Sequence, residues 1–352
     1  MLPTVSILLP NLNNRPYLEE RMRSIQSQTF TQWELIVVDS YSTDGSWEYF
    51  EECARNDSRI CLHRSDEKGI YVNFNKCIQL AKGEYIYFAT GDDSMTPNLL
   101  QEMVQALQSH PQCDLAHCKL QIIDENNKIS NQKAWDNFFI VQYFGPLIDK
   151  PHIRKAPHDG LLHFSGITVY TSLTQILIHR SLFQRIGMFL TTAGSIADYE
   201  WVMRATLTAH TIHVPSYLAF WRIHSRQATS DNMLEKAKAR GQFIKMAHHA
   251  LRTAKKISPS LPKLHTTELF YILKKEQLYY QLKFAKTKFY KYLTALKWLL
   301  CSPSLVKEYK NITREKRNFV SQQEFLVYIK AMITRYNLLQ NLISLQEDTH
   351  DI

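Results

Sequence analysis

Two adjacent carboxylates, Asp92 and Asp93, close the apolar run Tyr85 to Ala89. Burying one carboxylate is costly and burying two like charges together costs more, so such a pair needs solvent, a proton or a cation. The surrounding stretch GEYIYFATGDDSMTPNLL is oxygen-rich and sulfur-free, which suits Mg²⁺ or Mn²⁺ held by one or two carboxylates, with phosphate oxygens completing the shell. The residue types alone leave a second reading open, in which one acid of the pair caps a helix beginning near Pro97. Asp198, in ADYEWVMRA, precedes the helical pattern Trp201, Val202, Ala205 and reads either as an N-cap, where the helix dipole would hold its pKa low, or as a base. His224, in WRIHSRQATS, could meet a diphosphate or a metal together with Arg222, against the commoner role of a hydrogen-bonded core or surface histidine. Arg204 finds its nearest ion-pair candidate in Glu200, one turn earlier.

The elements that must position these groups are alternating strands and helices. Val5 to Pro10, Leu35 to Asp39, Ile60 to Ser65, Glu84 to Thr90 and Asp114 to Asp124 are apolar or β-branched runs of strand length. Between them Leu18, Met22 and Ile25, then Trp47, Phe50 and Ala54, then Phe74, Ile78 and Ala81, and finally Leu100, Met103 and Leu107 repeat at helical spacing. Strands buried on both faces and joined by helices imply an α/β fold with a largely parallel sheet. Ligands of such sheets bind beyond the carboxyl ends of the strands, where Pro10 to Asn13, Asp39 with Ser42 to Gly45, and Gly91 to Asp93 converge. Residues 126–175 are irregular, with several His, Pro and Gly, and read as a functional or mobile loop region.

At 352 residues and 45% hydrophobic content, the chain has room for one catalytic domain and an appendage. Residues 1–230 carry 20 Lys plus Arg against 23 Asp plus Glu, net −3, while residues 231–352 carry 22 against 10, net +12. That asymmetry predicts an anionic partner for the basic, aromatic 231–352 extension, in which Phe289, Leu293, Leu296 and Leu300 fall at helical spacing. The six cysteines include no CxxC pair, the first residues lack the basic region of a signal peptide, and no run of about 18 apolar residues occurs, so the expected location is cytoplasmic.

The ordered strings VSILLPNLNN, QSQTFTQWELIVVDSYSTDGS, SDEKGIYVNFNKCIQLAKGEYIYFATGDDSMTP and IADYEWVMRA together resemble the inverting glycosyltransferases of family 2 over roughly residues 4–230. The resemblance implies a GT-A nucleotide-diphospho-sugar-binding fold with a mostly parallel central sheet, followed by a C-terminal α-helical extension. It divides the chain into a transferase domain, 1–230, and the extension, 231–352. Within the first, 1–125 is the nucleotide-binding half and 126–230 the acceptor-side half with the catalytic base.

By the same resemblance Pro10, Asn11 and Asn13 lie in a turn beside the nucleotide, and Asp39 contacts the nucleobase. Asp44 shapes the next turn, and Lys68, Gly69, Asn75 and Lys76 lie near the nucleotide and ribose. Gly91 and Asp92 end the donor motif, Asp92, Asp93 and His224 hold Mg²⁺ or Mn²⁺, and Asp198 is the general base. Departures from the family pattern are Thr90 and Val72 where Asp is common, Tyr41 within DSYSTDG, and Ala197 where Glu is common.

The implied reaction is metal-dependent transfer of a sugar from a UDP- or dTDP-sugar to a saccharide or lipid-linked acceptor in cell-surface polysaccharide or glycoconjugate synthesis. The 126–175 loops would close over the donor to exclude water, with His152, His158 and His163 on an acceptor-side loop or simply at the surface. Peripheral contact of 231–352 with an anionic membrane at the inner face is the accompanying expectation. A non-catalytic nucleotide-binding or scaffold protein on the same fold is the alternative, motivated by Thr90 and Ala197. A nucleic-acid binder rests only on the charge of the extension and is disfavoured, as is a dinucleotide oxidoreductase, since no GxGxxG follows the first strand.

Overall fold

Strands β1 (Val5–Asn11) and β2 (Trp33–Asp39) are buried along their entire lengths, which is why they read as unbroken apolar runs. They pair in parallel with β4 (Tyr85–Phe88) and β3 (Ile60–Arg64) respectively, and with each other. The crossovers are α1 (Arg15–Gln26), α2 (Ser46–Asn56) and α3 (Ile70–Leu80), whose stripes Leu18, Met22, Ile25, Phe50, Phe74 and Ile78 are buried against the sheet. This computed structural model describes residues 2–129, 138–164, 168–224, 233–261, 263, 274, 278, 281–282, 285, 287–301 and 322–345. The remainder of the irregular 126–175 region and of the WRIHSRQATS segment lies outside them.

Beyond β4 the chain forms the short β5 (Ser94–Met95), α4 (Leu99–Ser109) and β6 (Leu115–Ile123), and Asn98 stands at the N-cap of α4, so neither Asp92 nor Asp93 caps it. Then follow α5 (Phe139–Phe144), β7 (His152–Arg154), α6 (His158–Phe164), β8 (Ile176–His179), α7 (Ser181–Ile186), α8 (Ala197–Thr206) and β9 (Thr211–Arg222). After these come α9 (Met233–Ile257), α10 (Lys288–Cys301), α11 (Gln322–Arg335) and β10 (Leu342–Ser344). The sheet runs β10-β7-β9-β6-β8-β4-β1-β2-β3, with β5 attached to β9. It is parallel through β4, β1, β2 and β3 and mixed beyond, where β6 and β9 are parallel and β8, β7 and β10 antiparallel to their neighbours. The extension is built onto this core: Phe243, Ala247, Ala250, Leu251 and Ala254 of α9 belong to the main apolar cluster.

The histidines of the irregular region are neither loop nor surface. His152, His158 and His163 are fully buried, on β7 and α6, together with His117 and His213. Arg154 Nε and His158 Nδ1 engage Asp159 at 2.8 and 2.7 Å, and the Tyr170 hydroxyl donates to the same carboxylate. Burial pushes His152 and His163 down to about 3, so both stay neutral and serve as hydrogen-bonding core residues. A sequence made polar by such a network carries no apolar periodicity, which is why β7 and α6 read as loop.

Helix α6 lies against α8, and Gly160 is where they approach: a Cβ there would stand 2.7 Å from Leu207 Cα and closer still to Leu207 N. Gly160→Ala is therefore expected to cost about 1–3 kcal/mol by overpacking, read as a lowered urea midpoint. An unchanged midpoint would show that α8 can yield at this contact.

Candidate active site

The carboxyl edge of the parallel strands holds one continuous polar assembly. Asn11 ends β1 and donates from Nδ2 to Asp39 Oδ1 at 2.9 Å and to Ser42 Oγ at 3.0 Å. Asp39 ends β2, is fully buried, and also accepts from the Ser42 amide and hydroxyl. Asp39, the expected nucleobase contact, thus also shapes the 39–42 turn. Asn13, at φ 57°, is exposed, and its amide and side-chain oxygen bind Ser42 Oγ and the Thr43 amide, both at 2.9 Å. Pro10 is buried within β1. Asp44 accepts from the Arg15 amide at 2.9 Å and from the Ser46 amide and hydroxyl, joining the starts of α1 and α2, so its turn-shaping role is visible directly.

Lys68 and Gly69 line a cavity of about 350 Å³ together with Ile70, Tyr71, Val72, Thr191 and Gly194. Gly69, at φ 129°, takes a backbone conformation that side-chain-bearing residues rarely adopt. Its loop is pinned from below by Asn73, which the sequence reading missed: Nδ2 donates to Ser40 Oγ at 2.8 Å and to the carbonyls of Glu67 and Gly69. Two other residues expected near the nucleotide make hydrogen bonds to the backbone. Asn75 exchanges a reciprocal pair of 3.0 Å hydrogen bonds with the Phe189 backbone, and Lys76 Nζ donates to the Arg64 carbonyl.

Asp92 and Asp93 face opposite ways. Asp93 is 2% exposed, and its oxygens accept from the Arg222 amide at 2.9 Å and from the Thr90 hydroxyl. Burial first, and the Asp92 charge second, push its carboxyl up to about 7. Asp93, the second expected metal ligand, thus accepts from protein donors at both oxygens. Asp92 keeps its side chain 23% exposed, with Oδ2 3.0 Å from Nε2 of His224, a ring that lies 4.7 Å from that of Tyr17. Gly91 packs where a Cβ would meet the Asn14 side chain at 2.9 Å, and Asn14 in turn donates to Asn11, which ties this turn to the β1 end.

Arg222 is the clamp beneath, rather than a diphosphate contact. Its Nε donates to the Asp92 carbonyl at 2.6 Å, Nη1 to the Asp124 carbonyl at 2.7 Å and Nη2 to Asn127 Oδ1 at 2.6 Å. Backbone acceptors leave no signature in residue types, so this role had no signal in the sequence.

Asp198 stands in the first turn of α8, directly after the 3₁₀ segment Thr191–Ile196 that contributes to the cavity wall. Its pKa is raised, against the expectation from the helix dipole: burial outweighs the hydrogen bonds from the Tyr199 amide and the Tyr71 hydroxyl. Tyr71 is thus a missed site residue, lining the cavity and touching the candidate base. Two residues on, Glu200 meets Arg204 in the expected ion pair, at 3.0 and 2.9 Å, and also His249 at 2.8 Å.

A metal fits part of this assembly. Among the described residues no group of three or more His, Cys, Asp or Glu side chains is arranged to hold an ion. Asp92 and His224 supply one carboxylate and one imidazole, a mixed set that accepts a divalent ion only with ligands brought from elsewhere.

Residues 6–168 match the family described as Glycosyl transferase family 2. The chain is 32% identical over 104 residues to a protein of Bacillus subtilis (strain 168) provisionally named teichuronic acid biosynthesis glycosyltransferase TuaG, covering 29% of this chain and 41% of that one. Across the first curated relatives the match spans 34% to 67% of their own length. In fold, the chain resembles S. aureus TarS 1–349 solved with UDP-GlcNAc, with TM-score 0.57, 14% identity and coverage of 91% and 95%. It also resembles the mannosyltransferase PcManGT of Pyrobaculum calidifontis solved with GDP-Man and Mn²⁺, with TM-score 0.50, 17% identity and coverage of 86% and 88%.

Replacing Arg222 with lysine would keep the charge but lose the fork that reaches the Asp92 and Asp124 carbonyls and Asn127 together, at an expected cost of about 2 kcal/mol in urea unfolding. A wild-type midpoint in Arg222→Lys would rule out the clamp.

Proposed function

We propose, from the match of residues 6–168 to glycosyl transferase family 2, that this chain carries out metal-dependent, inverting transfer of a sugar from a UDP- or dTDP-sugar to a saccharide or lipid-linked acceptor in cell-surface polysaccharide synthesis. The observation that carries the proposal is the pairing of Asp92 with His224 on the rim of the strand edge. The UDP-GlcNAc bound to TarS and the GDP-Man and Mn²⁺ bound to PcManGT support a nucleotide-sugar donor and a divalent ion, and the name of TuaG supports a glycopolymer product. We take residues 1–230 as the transferring unit and 231–352 as its extension.

Asp92 and His224 would hold the ion, and Mn²⁺ suits the imidazole better than Mg²⁺ does. When bound, such an ion stabilises negative charge on the departing diphosphate. Asp93 keeps the Asp92 turn in place, and the Thr90 hydroxyl is committed to Asp93, so the missing acid at position 90 costs a ligand without opening the turn. Lys68 and the Gly69 backbone line the cavity in which we place the donor. Asp198 takes the proton from the acceptor hydroxyl as that oxygen attacks the anomeric carbon, and its raised pKa makes it a stronger base than an ordinary aspartate. Tyr71 orients that carboxylate.

Asp198→Asn is expected to lower kcat by about 10³-fold, within the usual range for a general base, with nucleotide binding retained. Since the Tyr71 hydrogen bond lowers the Asp198 pKa, Tyr71→Phe moves the acid limb of the rate profile to higher pH. Normal turnover in the Asn variant would remove Asp198 from the mechanism. In a thermal-shift titration, Mn²⁺ should enhance UDP stabilisation of the wild type and of Asp93→Asn, but not of Asp92→Asn. Equal enhancement in Asp92→Asn would place the ion elsewhere.

A further inference from the structure

Helix α10, Lys288–Cys301, is turned inside out relative to an ordinary surface helix. Phe289, Tyr292, Leu293, Leu296, Leu299 and Leu300 are between 41% and 79% exposed. At 100° per residue these six fall within an arc of about 120°. The helix is held instead by a different side, on which Ala295 and Trp298 pack against Leu278 and Leu282 and Trp298 Nε1 donates to Gln281 Oε1 at 2.8 Å. Monomeric proteins rarely leave a contiguous apolar stripe of this size in water.

The charges around the stripe select its partner. Lys288 lies at one margin of the arc and Lys297 beyond the other, and the helix contains no acidic residue. We propose that α10 lies flat on an anionic phospholipid surface, with the apolar arc entering the acyl boundary and Lys288 and Lys297 reaching lipid phosphates along their flexible stems. A second copy of the chain is a poorer occupant, since a symmetric pairing of this face would bring its lysine margins together. Nucleic acid is poorer still, because the stripe is dominated by leucines that cannot stack on bases. No described helix is long and apolar enough to cross a membrane, so surface contact is the mode that α10 offers. The inference does not depend on the sugar-transfer reading.

The test uses the full chain, because α9 belongs to the main core and β10 to the sheet, which makes truncation uninformative. The protein is sedimented with vesicles of phosphatidylcholine alone and of phosphatidylcholine with phosphatidylglycerol. Binding is expected only with phosphatidylglycerol, weakening with salt. Lys288→Glu and Lys297→Glu combined should weaken it by roughly fivefold or more per lysine. Phe289→Ser, Leu293→Ser and Leu300→Ser combined should abolish it with the melting transition intact. The lipid and salt dependence of the wild type decides the matter even where the serine variant does not fold. Absence of wild-type binding, equal binding by the lysine variant, or a concentration-dependent dimer that the serine substitutions dissolve would each overturn the proposal.

Discussion

One buried guanidinium holds the candidate site together. Arg222, at the end of β9, bonds to the Asp92 carbonyl, the Asp124 carbonyl and Asn127, while its own amide supports Asp93. Three segments far apart in sequence thus share one charge that is costly to desolvate and tolerated because every arm of it is matched. With the Asp92 carbonyl held inward, its carboxylate is left outward beside His224. Asp93 completes the fixture at some electrostatic cost, since burial and its neighbour together push it towards protonation near neutrality.

The same division of labour recurs on α8. Asp198 and Glu200 are two residues apart, yet Glu200 is fully buried, ion-paired with Arg204 and in contact with His249, whereas Asp198 accepts from a tyrosine hydroxyl and an amide. A carboxylate saturated with cations is inert, while one held mainly by neutral donors in a partly desolvated place remains basic. By linkage, a folded pKa above the unfolded value means that Asp198 supports folding below about pH 4 and costs stability as pH rises through its folded pKa. That burden is the kind expected of a group kept for chemistry.

The nucleotide half was legible because burial on both faces of β1, β2 and β4 demands continuous apolar runs, and because the stripes of α1 to α4 bury one side only. The convergence of Asn11, Asp39 and Asp92 on one edge followed from that alternation. What lay hidden was the direction in which adjacent polar residues point. Nothing in the doublet distinguishes Asp92, at the rim, from Asp93, sealed beneath it. Asn75 and Lys76 bind backbone carbonyls, which have no residue type to betray them. On β7 and α6, charges and imidazoles satisfy one another in the interior and so imitate a solvated loop. In α10 the helical spacing was plain, while the side facing water was not.

The pairing of Ile343 in β10 with Ile153 in β7 has a bearing on how the chain is made. During translation β7 emerges long before its outer neighbour, and the nascent sheet must wait with that flank unpaired. That flank of the sheet is therefore paired late, and an unpaired edge is open to a wrong strand until then.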